Sequence, residues 1–292
     1  MKKLGFIGMG IMGLPMATNI LKKSGRPVIG FDVMETSREK FAEVGGIATG
    51  DAKAIYENCE IIFLCLPKNE LVESVVNDII TQGKKGTIIV DFSSTFPGVI
   101  RKLYPEVKAA GMSLIDSPVS GGETGAIAGT LVVMCGGEQD VFEEVEDLIA
   151  CVGSRVTYMG SSGCGDVAKL ANNMIVGCNL IAVSEAFAFA VKAGLDPEVL
   201  FHAIKDGFAQ NAVMDLKVPK IISRDFSASA RIAVHQKDMK NATKLAEDMG
   251  VEIPMSTLVL NYMNRMDEAG LINEDQCALV KMFEQDMGIE VK

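Results

Sequence analysis

The sequence predicts an α/β protein. An N-terminal doubly wound parallel sheet is followed by an all-α half, and one long helix joins the two. Three observations predict this. A strand–GxGxxG–helix unit opens the chain, with the β run of residues 3–8, Lys-Leu-Gly-Phe-Ile-Gly, leading into Gly8-Met-Gly10-Ile-Met-Gly13. Two continuous apolar runs, 60–67 and 87–93, read as strands buried on both faces of a parallel sheet. From Asp166 to Ala193 the chain has no proline and is rich in helix formers, with Gly194 as a left-handed stop and Pro197 just beyond. With 292 residues the chain exceeds one ordinary core, and the expected divisions are 1–162, 163–193 and 194–292.

The opening motif carries the first chemical reading. A lone GxGxxG is a weak signal, but here a second strand, Pro27–Asp32, ends in an acid at about the 20-residue offset of a Rossmann dinucleotide site. Gly8 makes the tight turn, Gly10 lets the backbone approach a pyrophosphate, and Gly13 lets the helix pack on the strand. Met9, Ile11 and Met12 fill the same loop. Asp32 accepts from a ribose 2′-hydroxyl and repels a 2′-phosphate, and the first arginine beyond it is Arg38, so the expected cofactor is NAD. In open α/β sheets ligands lie beyond the carboxyl ends of the strands. That places Leu66-Pro67 after the 60–67 run and Thr95 after the 87–93 run as cofactor contacts. Thr95 has a second reading, as a cap for the helix starting at Pro97.

Farther along, Ser120-Gly121-Gly122 offers a hydroxyl and exposed backbone N–H groups suited to a carboxylate, or else simply a glycine turn. Strands at 131–136 and 155–160 are expected to complete the first half. The long helix opens with Gly163-Cys-Gly-Asp-Val-Ala-Lys169, and Asn172 and Asn173 share the face of Lys169 at i+3 and i+4. The stretch from Met174 to Val191 is apolar nearly all round, which predicts burial on most sides. A lysine at the buried end of such a helix is expected to lose solvation and to have a lowered pKa, useful for proton transfer. The chain then reads as all-helical: a helix from Asp196-Pro197, others near 233–249 and 254–269, and a last one capped by Asn273 and running to Met287. The polar stretch His235–Asn241 is either beside a site or a solvated face. His202 and His235 have no partner motif and are assigned neither to catalysis nor to metal.

Composition narrows the classes. A net charge of −10 argues against nucleic acid and against an anionic membrane surface. Seven cysteines with no CxxC or metal spacing read as free thiols, and no metal site is expected. The N-terminus shows no signal-peptide pattern, so the expected location is the cytoplasm. The Met174–Val191 run approaches spanning length but contains Asn179, Ser184 and Glu185, so a soluble helix and no membrane partner are expected.

Four stretches together resemble the β-hydroxyacid dehydrogenase family: Gly8–Asn19, Asp116–Leu131 (DSPVSGGETGAIAGTL), Gly163–Asn173 (GCGDVAKLANN) and Lys237-Asp238. They lie in the family's order over nearly the whole chain. The resemblance implies an NAD-dependent enzyme oxidising a small 3-hydroxy acid to its semialdehyde and back, in a homodimer or homotetramer. Carried over residue by residue, it makes Lys169 the catalytic acid/base. Ser120, Gly121, Gly122, Asn172 and Asn173 become substrate ligands, Lys237 a neighbour of the nicotinamide, and Asp238 a support for the substrate site. The chain departs from the family at Met239, where leucine is usual, and at Ala230, where phenylalanine is usual. Arg231, next to that missing ring, is either a partner for a second substrate carboxylate or simply an exposed side chain. The expected substrate is therefore dicarboxylic, 2-(hydroxymethyl)glutarate, with 3-hydroxyisobutyrate or tartronate semialdehyde with NADPH as the alternative. A non-catalytic NAD-binding module is the alternative of another class.

Overall fold

The computed structural model describes residues 2–292. The chain forms two compact units, divided between Lys169 and Leu170. In the first, β1 (Leu4–Ile7), β2 (Val28–Phe31), β3 (Ile47–Ala48), β4 (Ile61–Leu64), β5 (Ile88–Asp91) and β6 (Ser113–Asp116) pair in parallel in the spatial order 3-2-1-4-5-6. This is the doubly wound dinucleotide-binding order. Every residue of β1, β4 and β5 is buried, as the unbroken apolar runs require. Phe6, Phe63 and Phe92 stack across neighbouring strands, the last two with centroids 5.6 Å apart.

The far edge changes direction. β7 (Val119–Ser120) and β6 both pair antiparallel with β8 (Leu131–Gly136), and β9 (Gly153–Gly160) runs parallel to β8. The helices of this unit are α1 (Gly13–Ser24), α2 (Glu35–Glu43), α3 (Lys53–Asn58), α4 (Asn69–Gln82), α5 (Pro97–Ala109), α6 (Gly122–Ala128) and α7 (Gln139–Ile149).

The long helix, α8 (Cys164–Lys192), runs on from the first unit into the second. Its length and mean hydropathy of 1.9 would suffice to cross a bilayer, yet only 44% of its most apolar stretch is buried. This corrects the expectation of burial on most sides. Ile175 and Phe189 are 64% and 67% exposed, while Leu180, Phe187 and Ala188 are buried. A helix apolar on every side carries no periodic signal to say which face its own chain leaves uncovered.

The second unit adds α9 (Pro197–Ile204), α10 (Ala212–Ile222), α11 (Ile232–Met249), α12 (Pro254–Glu268), a 3₁₀ turn (Gln276–Leu279) and α13 (Val280–Met287). Asp196 caps α9 as its sequence predicts, accepting from the N–H groups of Glu198 and Val199. The last helix departs from expectation: α13 begins only at Val280 and has no side-chain cap, and Asp275, not Asn273, caps the 3₁₀ turn before it, through the N–H of Cys277.

Asp275 does more than cap. It is fully buried, and Lys217 Nζ donates to its Oδ1 at 2.7 Å. Its Oδ2 accepts from Ser229 N, Ser229 Oγ and Ala230 N at 3.0, 2.7 and 3.0 Å, which fixes the entry into α11. Burial alone would raise its pKa. The bonds from Lys217, Ser229 and Cys277 outweigh it and hold the carboxyl well below the usual range. The folded pKa is depressed, so this contribution is present above the ordinary carboxylate pKa of about 3.9 and is lost as pH falls through the folded value. Asp275→Ala strands the buried Lys217 ammonium and is expected to cost about 3–5 kcal/mol in urea unfolding at pH 7. A loss below about 1 kcal/mol, in the range of an exposed pair, would contradict this reading.

Candidate active site

The glycine loop after β1 has the geometry that a dinucleotide requires. Gly8 sits at φ +92°, and a Cβ on Gly13 would lie 1.8 Å from the Gly8 carbonyl oxygen, so α1 packs against the turn only because both are glycines. A Cβ on Gly10 would meet nothing within 4 Å, which leaves open space for a pyrophosphate against the backbone. Met9 is buried beneath the loop, Met12 is half-buried, and Ile11 is exposed. Asp32 follows β2 directly. Its Oδ2 accepts from Met9 N at 2.6 Å and its Oδ1 from Met34 N at 2.8 Å. The carboxylate is thus aimed by two main-chain donors, with lone pairs remaining for ribose hydroxyls. Arg38 donates to the carbonyls of Asp32 and Val33 at 2.7 and 3.2 Å, so its guanidinium lies over the same strand end. The residues present fit a nicotinamide dinucleotide.

At the ends of β4 and β5 the loops are tied together. Leu66 N donates to Ser93 Oγ at 2.8 Å, and Ser93 N donates to Asp91 Oδ1. Pro67 is exposed and Leu66 half-buried. Thr95 is buried, and its hydroxyl donates to Asp91 Oδ2 at 2.9 Å. The cap reading of Thr95 does not hold, because the N-cap position of α5 is Phe96, whose N–H is taken by Asn69 Oδ1 at 3.0 Å.

Sequence reasoning gave no role to the acids that organise this end of the sheet. Asp116, fully buried at the end of β6, accepts from Gly163 N through Oδ1 at 2.8 Å and from Asp166 N through Oδ2 at 3.0 Å. It is a remote cap for the first turn of α8. Asp166 in turn accepts from Thr95 N at 3.0 Å. A Cβ on Gly165 would lie 2.4 Å from the Met134 carbonyl oxygen, so the GCG step is what lets α8 start against the sheet. Burial raises the Asp116 pKa against its two main-chain donors, and the charge of Asp91 adds to the rise. An acid closing an apolar strand, like Asp116 after Leu114-Ile115, was the available signal.

Ser120 is half-buried, and Gly121 and Gly122 are exposed at the head of α6. α6 is held at its other end by α1: Asn19 Nδ2 donates to the Ala126 carbonyl at 2.7 Å, and Lys23 to that of Gly129 at 3.3 Å. Lys169 is half-buried two turns into α8.

The remaining candidates lie in the second unit. Asn173 Nδ2 donates to Asp238 Oδ2 at 2.6 Å, and Asn172 Nδ2 to Asn173 Oδ1 at 3.0 Å. Lys237 Nζ stands 3.5 Å from Asp238 Oδ1. The stretch 235–241 is not a solvated face, since His235, Gln236, Asp238, Met239 and Asn241 are all buried. Arg231 is exposed at the N-cap position of α11, with its backbone bridged to Asp275.

With this geometry established, the relatives are informative. Residues 3–160 match the NAD-binding domain of 6-phosphogluconate dehydrogenase, and residues 163–283 match the NAD-binding domain of NADP-dependent 3-hydroxyisobutyrate dehydrogenase. The chain is 35% identical to 2-(hydroxymethyl)glutarate dehydrogenase of Eubacterium barkeri, over 99% of this chain and 97% of that one. It is also 35% identical to 2-hydroxy-3-oxopropionate reductase of Escherichia coli, over 97% of each. A solved structure of Mycobacterium tuberculosis 3-hydroxyisobutyrate dehydrogenase with L-serine superposes with a TM-score of 0.89 at 26% identity, covering 97% of this chain and 99% of that one. The chain belongs to the β-hydroxyacid dehydrogenase family, the 3-hydroxyisobutyrate dehydrogenase-like oxidoreductases that act on hydroxy acids with a nicotinamide cofactor.

Proposed function

We propose that this chain oxidises the primary alcohol of 2-(hydroxymethyl)glutarate to 2-formylglutarate, and catalyses the reverse, with NAD and with Lys169 as general acid/base. The observation that carries the reading is the start of α8, where one helix, anchored at its first turn by Asp116, presents Lys169 and then Asn172 and Asn173 on the same face. A bound nicotinamide would supply the acceptor for the hydride on the carbinol carbon. Lys169, as the neutral amine, takes the hydroxyl proton, and as the ammonium it returns that proton to the aldehyde oxygen in reverse. In the first unit, Ser120 and the Gly121 and Gly122 N–H groups are the proposed ligands of the substrate carboxylate, and the family resemblance makes Asn173, on α8, a substrate ligand as well. Asp238 orients the Asn173 amide.

The dicarboxylate is favoured by the exposed Arg231 guanidinium at the head of α11, beside Ala230, where no aromatic ring fills the space. The full-length similarity to 2-(hydroxymethyl)glutarate dehydrogenase supports the same choice. NAD is favoured by the Asp32 carboxylate, fixed by two main-chain donors where a 2′-phosphate would sit. Arg38 supports a second reading with NADP, because its guanidinium lies over the same strand end.

A homo-oligomer is part of the proposal. The second unit exposes large apolar side chains, Ile175 and Phe189 on α8 together with Leu195, Val199, Leu216 and Leu258, and a second copy is the occupant we assign to them. Phe189→Asp is expected to lower the mass measured by light scattering from that of a dimer or tetramer. A monomeric wild-type chain at micromolar concentration would contradict this part.

For the chemistry, Lys169→Ala is expected to retain NADH binding by fluorescence and to lower kcat about 10²–10⁴-fold. Turnover near that of the unmodified chain would remove Lys169 from the mechanism.

A further inference from the structure

Helix α11 holds Asn173 at two points one turn apart. Asp238 takes a hydrogen bond from the side-chain amide, as described. His235, three residues earlier, is buried, and its Nε2 lies 2.8 Å from the main-chain carbonyl oxygen of Asn173. A carbonyl only accepts, so Nε2 carries the proton and donates. Nδ1 lies 3.1 Å from Gln276 Nε2 and, bare in the neutral ring, accepts from that amide. The 3₁₀ turn carrying Gln276 is itself capped by the buried Asp275.

The approach of the ring depends on the helix it meets. The Asn173 carbonyl is the one that Gly177 N–H reaches in an α-helix, so an imidazole donor must come in beside residue 177. A Cβ at Gly177 would sit 3.4 Å from His235 Nε2 and 2.8 Å from Val259 Cγ1, tighter than ordinary packing at the second contact. Glycine at this turn leaves room for both α11 and α12. Two bonds to one residue, one to its main chain and one to its side chain, fix both the height of Asn173 on the helix and the direction of its amide. Asp238 takes one of the two hydrogens on the amide nitrogen, and the other belongs to an amide that cannot swing freely.

We propose that His235 is a positioning residue for the substrate: as the neutral Nε2–H tautomer it sets the Asn173 amide that anchors the hydroxy acid. This rests on the reading of Asn173 as a substrate ligand. It requires the ring to stay neutral with the proton on Nε2, and it assigns His235 no part in proton transfer with the substrate.

The test compares the unmodified chain with His235→Phe, His235→Gln and Asn173→Ala. The readouts are KM for the hydroxy acid, kcat, NADH affinity, the thermal midpoint and the imidazole ¹⁵N–¹H spectrum of the free protein. The spectrum is expected to show a protonated Nε2 and a bare Nδ1. Phenylalanine fills the site without a donor and is expected to raise KM about tenfold, the worth of one hydrogen bond, with NADH affinity unchanged. The glutamine amide nitrogen reaches the same carbonyl and is expected to keep KM within about threefold of the unmodified value. An unchanged KM in His235→Phe, equal losses in both His235 variants, or a proton on Nδ1 alone would overturn the proposal. If the phenylalanine variant does not fold, the glutamine variant and the spectrum decide. An unaltered KM in Asn173→Ala would instead overturn the reading of Asn173, and the spectrum reports the His235 contact independently of any turnover.

Discussion

The Asp116 carboxylate, fully buried at the carboxyl end of β6, directs both oxygens to the first turn of α8. A helix start leaves four N–H groups without partners, and a negative group there also complements the helix dipole. Here the sheet supplies the carboxylate that takes the Gly163 and Asp166 N–H groups, while the flanking Ser161 carbonyl takes that of Cys164 at 3.0 Å. The last strand of the doubly wound sheet therefore fixes where α8 begins, and α8 fixes where Lys169 lies along it. Asp166 extends the same linkage to Thr95, which is bound in turn to Asp91 on the neighbouring strand β5. Two adjacent strand ends and one helix start thus share one polar network. Its members are buried, and each makes at least one hydrogen bond within it.

The second unit repeats this logic with another acid. Asp275 gathers Lys217, Ser229, Ala230 and Cys277 and so fixes both the entry to α11 and the turn that carries Gln276. α11 then presents His235 and Asp238 to the same asparagine. Buried thiols in both units are chemically quiet: burial pushes Cys59 up to about 11 and both Cys135 and Cys277 up to about 12. The polar candidates lie at the ends of strands, on the opening turns of α8 and on one face of α11.

Much of this was legible in the residues. The three glycines and Asp32 announce the dinucleotide turn because the steric demand on each is local, and Gly8 and Gly13 meet it as expected. The strands at 60–67 and 87–93 were legible because a sheet covered on both faces needs unbroken apolar runs. α8 was bounded to within two residues by its composition and its glycine stop. What failed to show is long-range. β6 is four residues long and ends in an acid whose partners lie 47 and 50 residues away. α10 carries Pro219 within it, which masks its helical pattern, although Asn211 caps it. Asn273 suits a cap by residue type, but the cap observed is Asp275, at the 3₁₀ turn before α13, where Lys217 and Ser229 converge on it. His235 carried no motif, because its partners are a main-chain carbonyl and an amide that no spacing rule connects.

The chain is a nicotinamide-linked hydroxyacid dehydrogenase by family, and the substrate proposed for it is a dicarboxylic hydroxy acid. The most direct measurement is absorbance at the NADH band, offering the purified chain NAD or NADP against 2-(hydroxymethyl)glutarate, 3-hydroxyisobutyrate, glycerate and 4-hydroxybutyrate. The account predicts the highest kcat/KM with NAD and 2-(hydroxymethyl)glutarate. A monocarboxylate turned over best would keep Lys169 and discard Arg231. No turnover with any pair, in protein that still binds NADH, would contradict the account.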